Sequence, residues 1–227
     1  DGSGFYYGRF PEPKSGAAMT EANRNKRLYF HKVNTAQADD VEVYANPEQP
    51  DWGFYGSVTD DGRYLIITVS EGTDPKNRIY FKDLAEPTKP VVKVFDAFDA
   101  DYNFIDNVGT TFYFHTNKEA PRYRVIAVNV EKPEVLREIL PQGEHKMDSV
   151  SIVGGQLICE RLKDARSVVT AYDLEGKLVR EIELPGIGSV GGFGGKRTDA
   201  DTFYSFSSYT VPGAIYRYDV ASGKSVI

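Results

Sequence analysis

The chain has 227 residues, of which 41% are hydrophobic and 13% aromatic, and its formal charge is -6. This length is enough for one large all-β domain with a substantial core. The acidic balance argues against nucleic acid as a partner, because phosphate binding requires a basic surface. No stretch approaches the roughly 18 consecutive apolar residues of a membrane-spanning helix, so no membrane contact is predicted.

A repeated pair of strands organises the sequence from one end to the other. Each copy has a turn, an apolar strand, a polar loop with Pro or Gly, and a second strand that typically ends in an acidic and an aliphatic residue. In chain order the pairs are 2–7 with 27–33, 61–67 with 78–84, 108–114 with 123–128, 155–159 with 168–174, and 201–206 with 214–220.

The later copies recur at roughly 45 residues, the length of a β-propeller blade of four strands. Inner strands are predicted at 55–59, 104–108 and 149–153, and outer strands at 91–95, 134–140 and 178–184. Gly176 and Gly223 stand where the hairpin between the third and fourth strands needs a positive φ. The prediction is an all-β fold, a β-propeller with about five four-stranded blades in a single domain, residues 1–227.

A blade buries its faces only against its neighbours, so an array of blades either closes into a ring or is covered at both ends. The first copy lacks an inner strand, and the last ends in a strand barely begun at 224–227. We interpret the segment as a contiguous piece of a larger ring, with a closed five-bladed ring as the alternative. An isolated piece would expose strand edges and apolar faces, and we expect it to aggregate or to be marginally stable.

No catalytic constellation is evident in the sequence. The nearest approach to the GxSxG motif of a hydrolase lies at 188–191, but Ile187 stands where the first Gly belongs, and the segment is interpreted as a Gly-rich inner strand. The histidines His31, His115 and His145 fall at no spacing typical of metal ligands. Neither a metal nor a cofactor is predicted.

Two sets of aspartates bear on other functions. The first could bind a hard cation, but it lacks the Gly and final Glu of a calcium loop and is interpreted as a solvated loop; it contains Asp96, Asp99 and Asp101. The second recurs near the inner strands and could supply the acid and base of a five-bladed propeller glycosidase; it contains Asp60, Asp106 and Asp148. Turn capping is the preferred interpretation of the second set, because no sugar platform is evident beyond Trp52.

The single cysteine, Cys159, lies in the apolar run 157–159 and is predicted to be a buried core thiol. One cysteine fits a reducing compartment, but it also fits a bacterial periplasm, where many proteins carry no disulfide. Localisation therefore stays open between the cytoplasm and the periplasm.

Residues 60–67, DDGRYLII, followed by 71–80, EGTDPKNRIY, resemble the propeller of the prolyl oligopeptidase family. Further family-like segments follow in the family's order and span nearly the whole chain: 1–11, 26–31, 116–125 and 203–216. The resemblance implies that the intact protein is a serine endopeptidase that cuts short peptides on the carboxyl side of proline. Its catalytic Ser, Asp and His would lie in an α/β-hydrolase domain outside this segment, and its propeller would have seven blades, of which these are the later five.

The resemblance also implies that this segment is non-catalytic and that it admits flexible peptides while excluding folded proteins. The implied partners are short proline-containing peptides and the parent's α/β-hydrolase domain, and a monomer is expected. Family side chains reach the substrate cavity from a loop and a strand that match Trp52, Phe54, Ser70 and Thr73, although Gly53 replaces a frequent Met and Ser70 a frequent basic residue. Ordinary blade packing is the alternative for these four residues, and a stand-alone propeller scaffold or a glycosidase is the alternative for the function.

Overall fold

The computed structural model describes residues 2–17 and 19–227, and nearly all of its regular structure is β-strand. The exception among these residues is one turn of 3-10 helix at Gln37–Asp39. No helix in the described residues is long and apolar enough to cross a membrane. The predicted all-β class is confirmed.

The strands form five sheets, and in each sheet consecutive strands pair antiparallel. Sheet 1 contains β1 (Gly4–Arg9), β2 (Arg27–Lys32) and β3 (Val41–Tyr44). Sheet 2 contains β4 (Trp52–Val58), β5 (Tyr64–Glu71), β6 (Asn77–Asp83) and β7 (Val92–Phe95). Sheet 3 contains β8 (Tyr102–Val108), β9 (Thr111–Thr116), β10 (Arg124–Asn129) and β11 (Lys132–Leu140).

Sheet 4 contains β12 (Lys146–Val153), β13 (Gln156–Lys163), β14 (Arg166–Tyr172) and β15 (Leu178–Ile182). Sheet 5 contains β16 (Ser189–Gly194), β17 (Asp201–Ser207), β18 (Ala214–Asp219) and β19 (Lys224–Val226). Each sheet is thus a meander of neighbours in sequence, which is the topology of a propeller blade.

The strand pattern agrees with the repeat, except for one strand that was not predicted, β3, and for the assignments of residues 52–54 and Thr73. The first sheet has three strands in the described residues, as the missing inner strand predicted, and β19 is short. The sequence does not predict β3, because its four residues, VEVY, are few and contain no apolar run. Residues 52–54 were predicted as a loop, but they are the start of β4; conversely Thr73, predicted on a strand, lies in the turn after β5.

The chain divides into two compact units, residues 1–102 and 103–227. The boundary falls after the first residue of β8, so that sheets 1 and 2 lie in the first unit and the rest of the sheets in the second. The assignment of 1–227 to a single domain stays a prediction.

The core of the first unit lies between sheets 1 and 2. Leu28 of β2 is fully buried, and it packs with Phe54, Leu65, Ile67 and Tyr80 of sheet 2. Each of these sheet 2 residues lies on the same face, because side chains alternate along a strand and directly paired residues share a face. Sheet 2 therefore presents one apolar face to sheet 1.

Sheet 4 in the second unit is buried on both of its faces. Along β13, Leu157 and Cys159 pack with residues of sheet 3, whereas Ile158 between them packs with Tyr204 and Phe206 of sheet 5. The continuous apolar run of β13 is what a strand needs when both faces are covered. Burial of Cys159 is confirmed, and desolvation raises the pKa of its thiol to about 12.

The turn between β14 and β15 generates a prediction about Gly176. Its φ is +85°, and a Cβ added there would lie 2.0 Å from the Ile139 carbonyl oxygen. Gly176→Ala combines backbone strain with a clash, and we expect it to lower the free energy of unfolding by about 3 kcal/mol.

Gly62 is the matched control, because its φ is +73° and nothing lies within 4 Å of an added Cβ. Gly62→Ala should cost only the strain of the positive φ, about 1 kcal/mol. Urea unfolding of both variants beside the unaltered protein measures the difference. Equal losses would show that the contact with Ile139 has no energetic consequence.

Candidate functional site

The four cavity candidates do not share one surface of sheet 2. Strands β4 and β5 pair without a bulge, with Trp52 opposite Glu71 and Gly53 opposite Ser70. Because side chains alternate along a strand, Trp52 and Phe54 lie on the face that packs against sheet 1, and Ser70 lies on the other face. Trp52 and Phe54 are therefore separated from Ser70 by the thickness of the sheet.

Trp52 and Phe54 belong to the core of the first unit. Phe54 is fully buried, and its ring meets the edge of Tyr44 at a centroid distance of 5.1 Å. Trp52 is 8% exposed and meets Phe98 edge to face at 5.3 Å. Thr73, in contrast, is exposed in the turn between β5 and β6. Contact of these residues with a substrate stays a prediction.

Arg78 packs over the Trp52 ring and fixes it in place, a role that the sequence analysis did not predict. The guanidinium carbon lies 4.3 Å from the centroid of the Trp52 ring and 4.5 Å from that of Phe98. Nη1 of Arg78 donates to the backbone oxygen of Asp96 at 2.8 Å and to its Oδ1 at 2.7 Å. A planar cation between aromatic rings and a carboxylate is the arrangement that arginine, but not lysine, can satisfy.

Asp96 is the anion at the centre of this network. Its Oδ1 also accepts the Tyr80 hydroxyl at 2.5 Å, and its Oδ2 accepts Lys93 Nζ at 3.0 Å. Burial works against ionisation, but the hydrogen bonds from Tyr80, Arg78 and Lys93 outweigh it and hold the pKa of Asp96 at about 2. Burial, and after it the hydrogen bond to Asp96, raise the pKa of Tyr80.

The acidic stretch that contains Asp96 lies between β7 and β8, so its interpretation as a loop is confirmed. Asp96 is neutralised by its cationic neighbours, and Asp99 accepts the Tyr102 hydroxyl at 2.8 Å. In the part of the chain that the structure describes, no three His, Cys, Asp or Glu side chains are grouped as metal ligands.

The aspartates considered as glycosidase acids have cationic neighbours or lie exposed. Asp106 is 8% exposed and faces Arg197 at 3.7 Å, whereas Asp148 pairs with Lys146 at 2.7 Å. Asp60 is exposed in the turn between β4 and β5. Cationic partners therefore account for Asp106 and Asp148 without a catalytic role.

The residues examined for nucleophilic chemistry have structural partners instead. Ser189 begins β16 and pairs with Ser207 across the ladder, so it does not occupy the strand-to-helix turn of a nucleophile elbow. His31 Nδ1 lies 2.7 Å from Asp40 Oδ1, but the same carboxylate accepts the Tyr7 hydroxyl. The Tyr7 hydrogen bond, supported by His31, lowers the pKa of Asp40.

Comparison with known proteins identifies what the chain is similar to. The family model described as the prolyl oligopeptidase N-terminal β-propeller domain matches residues 1–227. A prolyl endopeptidase of Elizabethkingia miricola is 34% identical over 226 residues, which cover 99% of this chain and 32% of that protein. The chain thus spans about a third of the length of the curated relatives it matches.

Solved structures agree with the sequence relatives. One, from a study of inter-domain dynamics in two prolyl endopeptidases, superposes with a TM-score of 0.89 at 33% identity, covering 99% of this chain and 32% of the other. Another is prolyl oligopeptidase B from Galerina marginata bound to a 35mer hydrolysis and macrocyclization substrate, with a TM-score of 0.85 at 28% identity, covering 96% of this chain and 30% of the other.

The network around Asp96 generates a prediction about pH. Because its pKa of about 2 lies below the ordinary 3.8, ionised Asp96 stabilises the fold fully above about pH 4, and this contribution is lost as the pH falls toward 2. Asp96→Asn should lower the free energy of unfolding by about 1 kcal/mol at pH 7, a small value because the side chain is 41% exposed and solvent screens it. The variant should also show a flatter loss of stability between pH 4 and 2.

Asp148→Asn is the control, because Asp148 has one lysine partner at 2.7 Å in place of three donors. Urea titrations at pH 7, 4 and 2.5 compare the two variants. An equal change in both, or an unaltered pH profile for Asp96→Asn, would contradict the assigned role of Asp96.

Proposed function

Because the chain belongs to the prolyl oligopeptidase family, as its N-terminal β-propeller domain, we propose that the parent protein is a serine endopeptidase that cleaves short peptides after proline. The observation that carries this proposal is the match of the family model to the whole chain, from residue 1 to residue 227. Relatives of 34% identity named prolyl endopeptidase support it.

The propeller itself contributes no nucleophile in this proposal. The catalytic Ser, Asp and His belong to an α/β-hydrolase domain in the remaining part of the parent, and the propeller partners that domain. Its task is to admit short proline-containing peptides and to exclude folded proteins. A related oligopeptidase bound to a 35mer substrate supports a peptide of this kind as the ligand. The parent acts as a monomer, without metal, cofactor, membrane or nucleic acid.

The cavity candidates take different roles. Ser70 and Thr73 are accessible enough to meet a peptide, Ser70 being half-buried and Thr73 exposed. Trp52 offers only the 8% of its surface that remains exposed. Phe54 is fully buried, so in this proposal it supports Trp52 from the core and does not touch substrate.

An assay of this chain beside the full-length parent tests the proposal. A short chromogenic peptide with an internal proline should be cleaved by the parent and not by the chain, because the nucleophile lies outside residues 1–227. The parent should leave the same sequence intact when it is placed within a folded protein. Release of the chromophore is followed spectrophotometrically, and cleavage of the protein by electrophoresis.

Each alternative function predicts a different result in that assay. Peptide cleavage by the chain alone would contradict a non-catalytic propeller, and sugar release from a chromogenic glycoside would favour the glycosidase. Failure of the parent to cut any proline peptide would favour a scaffold. Replacing the proposed catalytic serine of the parent by alanine is the control for the catalytic domain.

A further inference from the structure

The face of sheet 2 that carries Ser70 also carries an exposed aromatic ring. Gly53 and Tyr55 of β4 lie on this face together with Ser70, because Gly53 is opposite Ser70 and the side chains alternate. The neighbours are small, and Tyr55 is 54% exposed. An exposed ring of this size on the first strand of a sheet is available to a ligand.

The Tyr55 ring leans across the position that a side chain at Gly53 would occupy. A Cβ added to Gly53 would lie 3.2 Å from Tyr55 Cε2, 3.4 Å from its hydroxyl oxygen and 2.8 Å from Ser70 Oγ. A side chain at position 53 would therefore displace both the Tyr55 ring and the Ser70 hydroxyl, and the glycine leaves room for them.

Lys26, in the segment just before β2, places a positive charge beside the Tyr55 ring. Lys26 Nζ lies 3.5 Å from the centroid of the Tyr55 ring and 5.8 Å from that of Phe10. Its stem crosses Gly8, where an added Cβ would lie 2.3 Å from Lys26 Cε. The Phe10 ring and the close passage over Gly8 thus keep the ammonium over Tyr55. A cation at this distance from a ring is attracted to its face.

We infer that Lys26 and Tyr55 form a subsite for the carboxylate end of a short peptide. The Lys26 ammonium has three N–H donors and a full positive charge, so a carboxylate can accept hydrogen bonds from it. An apolar side chain of the peptide, proline included, packs on the exposed part of Tyr55, which offers contact area with little conformational freedom to lose. This inference rests on the proposed function and names the part of the peptide that this surface recognises.

Two matched peptides test the subsite in the full-length parent. They share one short proline sequence and differ only in ending as a carboxylate or as an amide. Lys26→Met keeps the stem over Gly8 and removes the charge, and it should raise KM for the carboxylate peptide about tenfold, with kcat unchanged and the amide peptide unaffected. Lys26→Arg keeps the charge and should restore most of the affinity for the carboxylate.

Tyr55 is tested with the same pair of peptides. Tyr55→Phe keeps the ring and should leave KM within about twofold, whereas Tyr55→Ala should raise KM for both peptides, because the apolar contact does not depend on the terminal charge. Lys146→Met is the matched control, since Lys146 Nζ also lies over a tyrosine ring, at 5.7 Å from the centroid of Tyr123. It should change neither peptide's KM.

The outcomes separate the subsite from the proposed function. If the unaltered parent cleaves neither peptide, the proposed function fails and the subsite falls with it. If the parent cleaves both but Lys26→Met affects them equally, or affects neither, the carboxylate subsite is wrong while the peptidase stands. Thermal melting of each variant, expected within a few degrees of the parent's, shows that a change in KM does not come from unfolding.

Discussion

The apolar faces of the sheets must be kept from water, and the rest of the structure follows from that requirement. A meander of short strands cannot bury an apolar face by itself. Sheet 4 shows the consequence, because Leu157 and Cys159 pack toward sheet 3 while Ile158 packs toward sheet 5. A chain built this way repeats the same unit and depends on its neighbours for stability.

The two sides of sheet 2 are specialised in different ways. One side holds Trp52 in the core, fixed by Arg78, whose guanidinium is anchored on Asp96. The other side carries Tyr55 beside Gly53 and Ser70, and Lys26 reaches the Tyr55 ring from the segment before β2, so that an aromatic ring and a charge remain accessible. A rigid core on one side of a strand is what allows the other side to present groups at fixed positions.

The strands and hairpins were predictable because their signals are local. Apolar runs recur at a blade's length, and Gly176 and Gly223, with φ of +85° and +74°, mark the hairpins where the sequence expected them. The failures have the same origin. Strand β3 has the sequence VEVY and no long apolar run. The sequence also predicts a loop at residues 52–54, where β4 begins. Pairing with a neighbouring strand decides such segments, and pairing is not visible in a local pattern.

By itself the sequence determined the all-β class, the repeat, the family resemblance and the burial of Cys159, because each depends on composition or on residues close together in the chain. Only the tertiary structure decided that Trp52 and Ser70 lie on opposite faces, since a strand register is needed to assign them. It also decided that Lys26 meets Tyr55 and that Arg78 meets Asp96 and Trp52. These contacts join residues far apart in the chain, and the packing of strands and loops brings their side chains within a few ångströms of one another, which no spacing along the chain encodes.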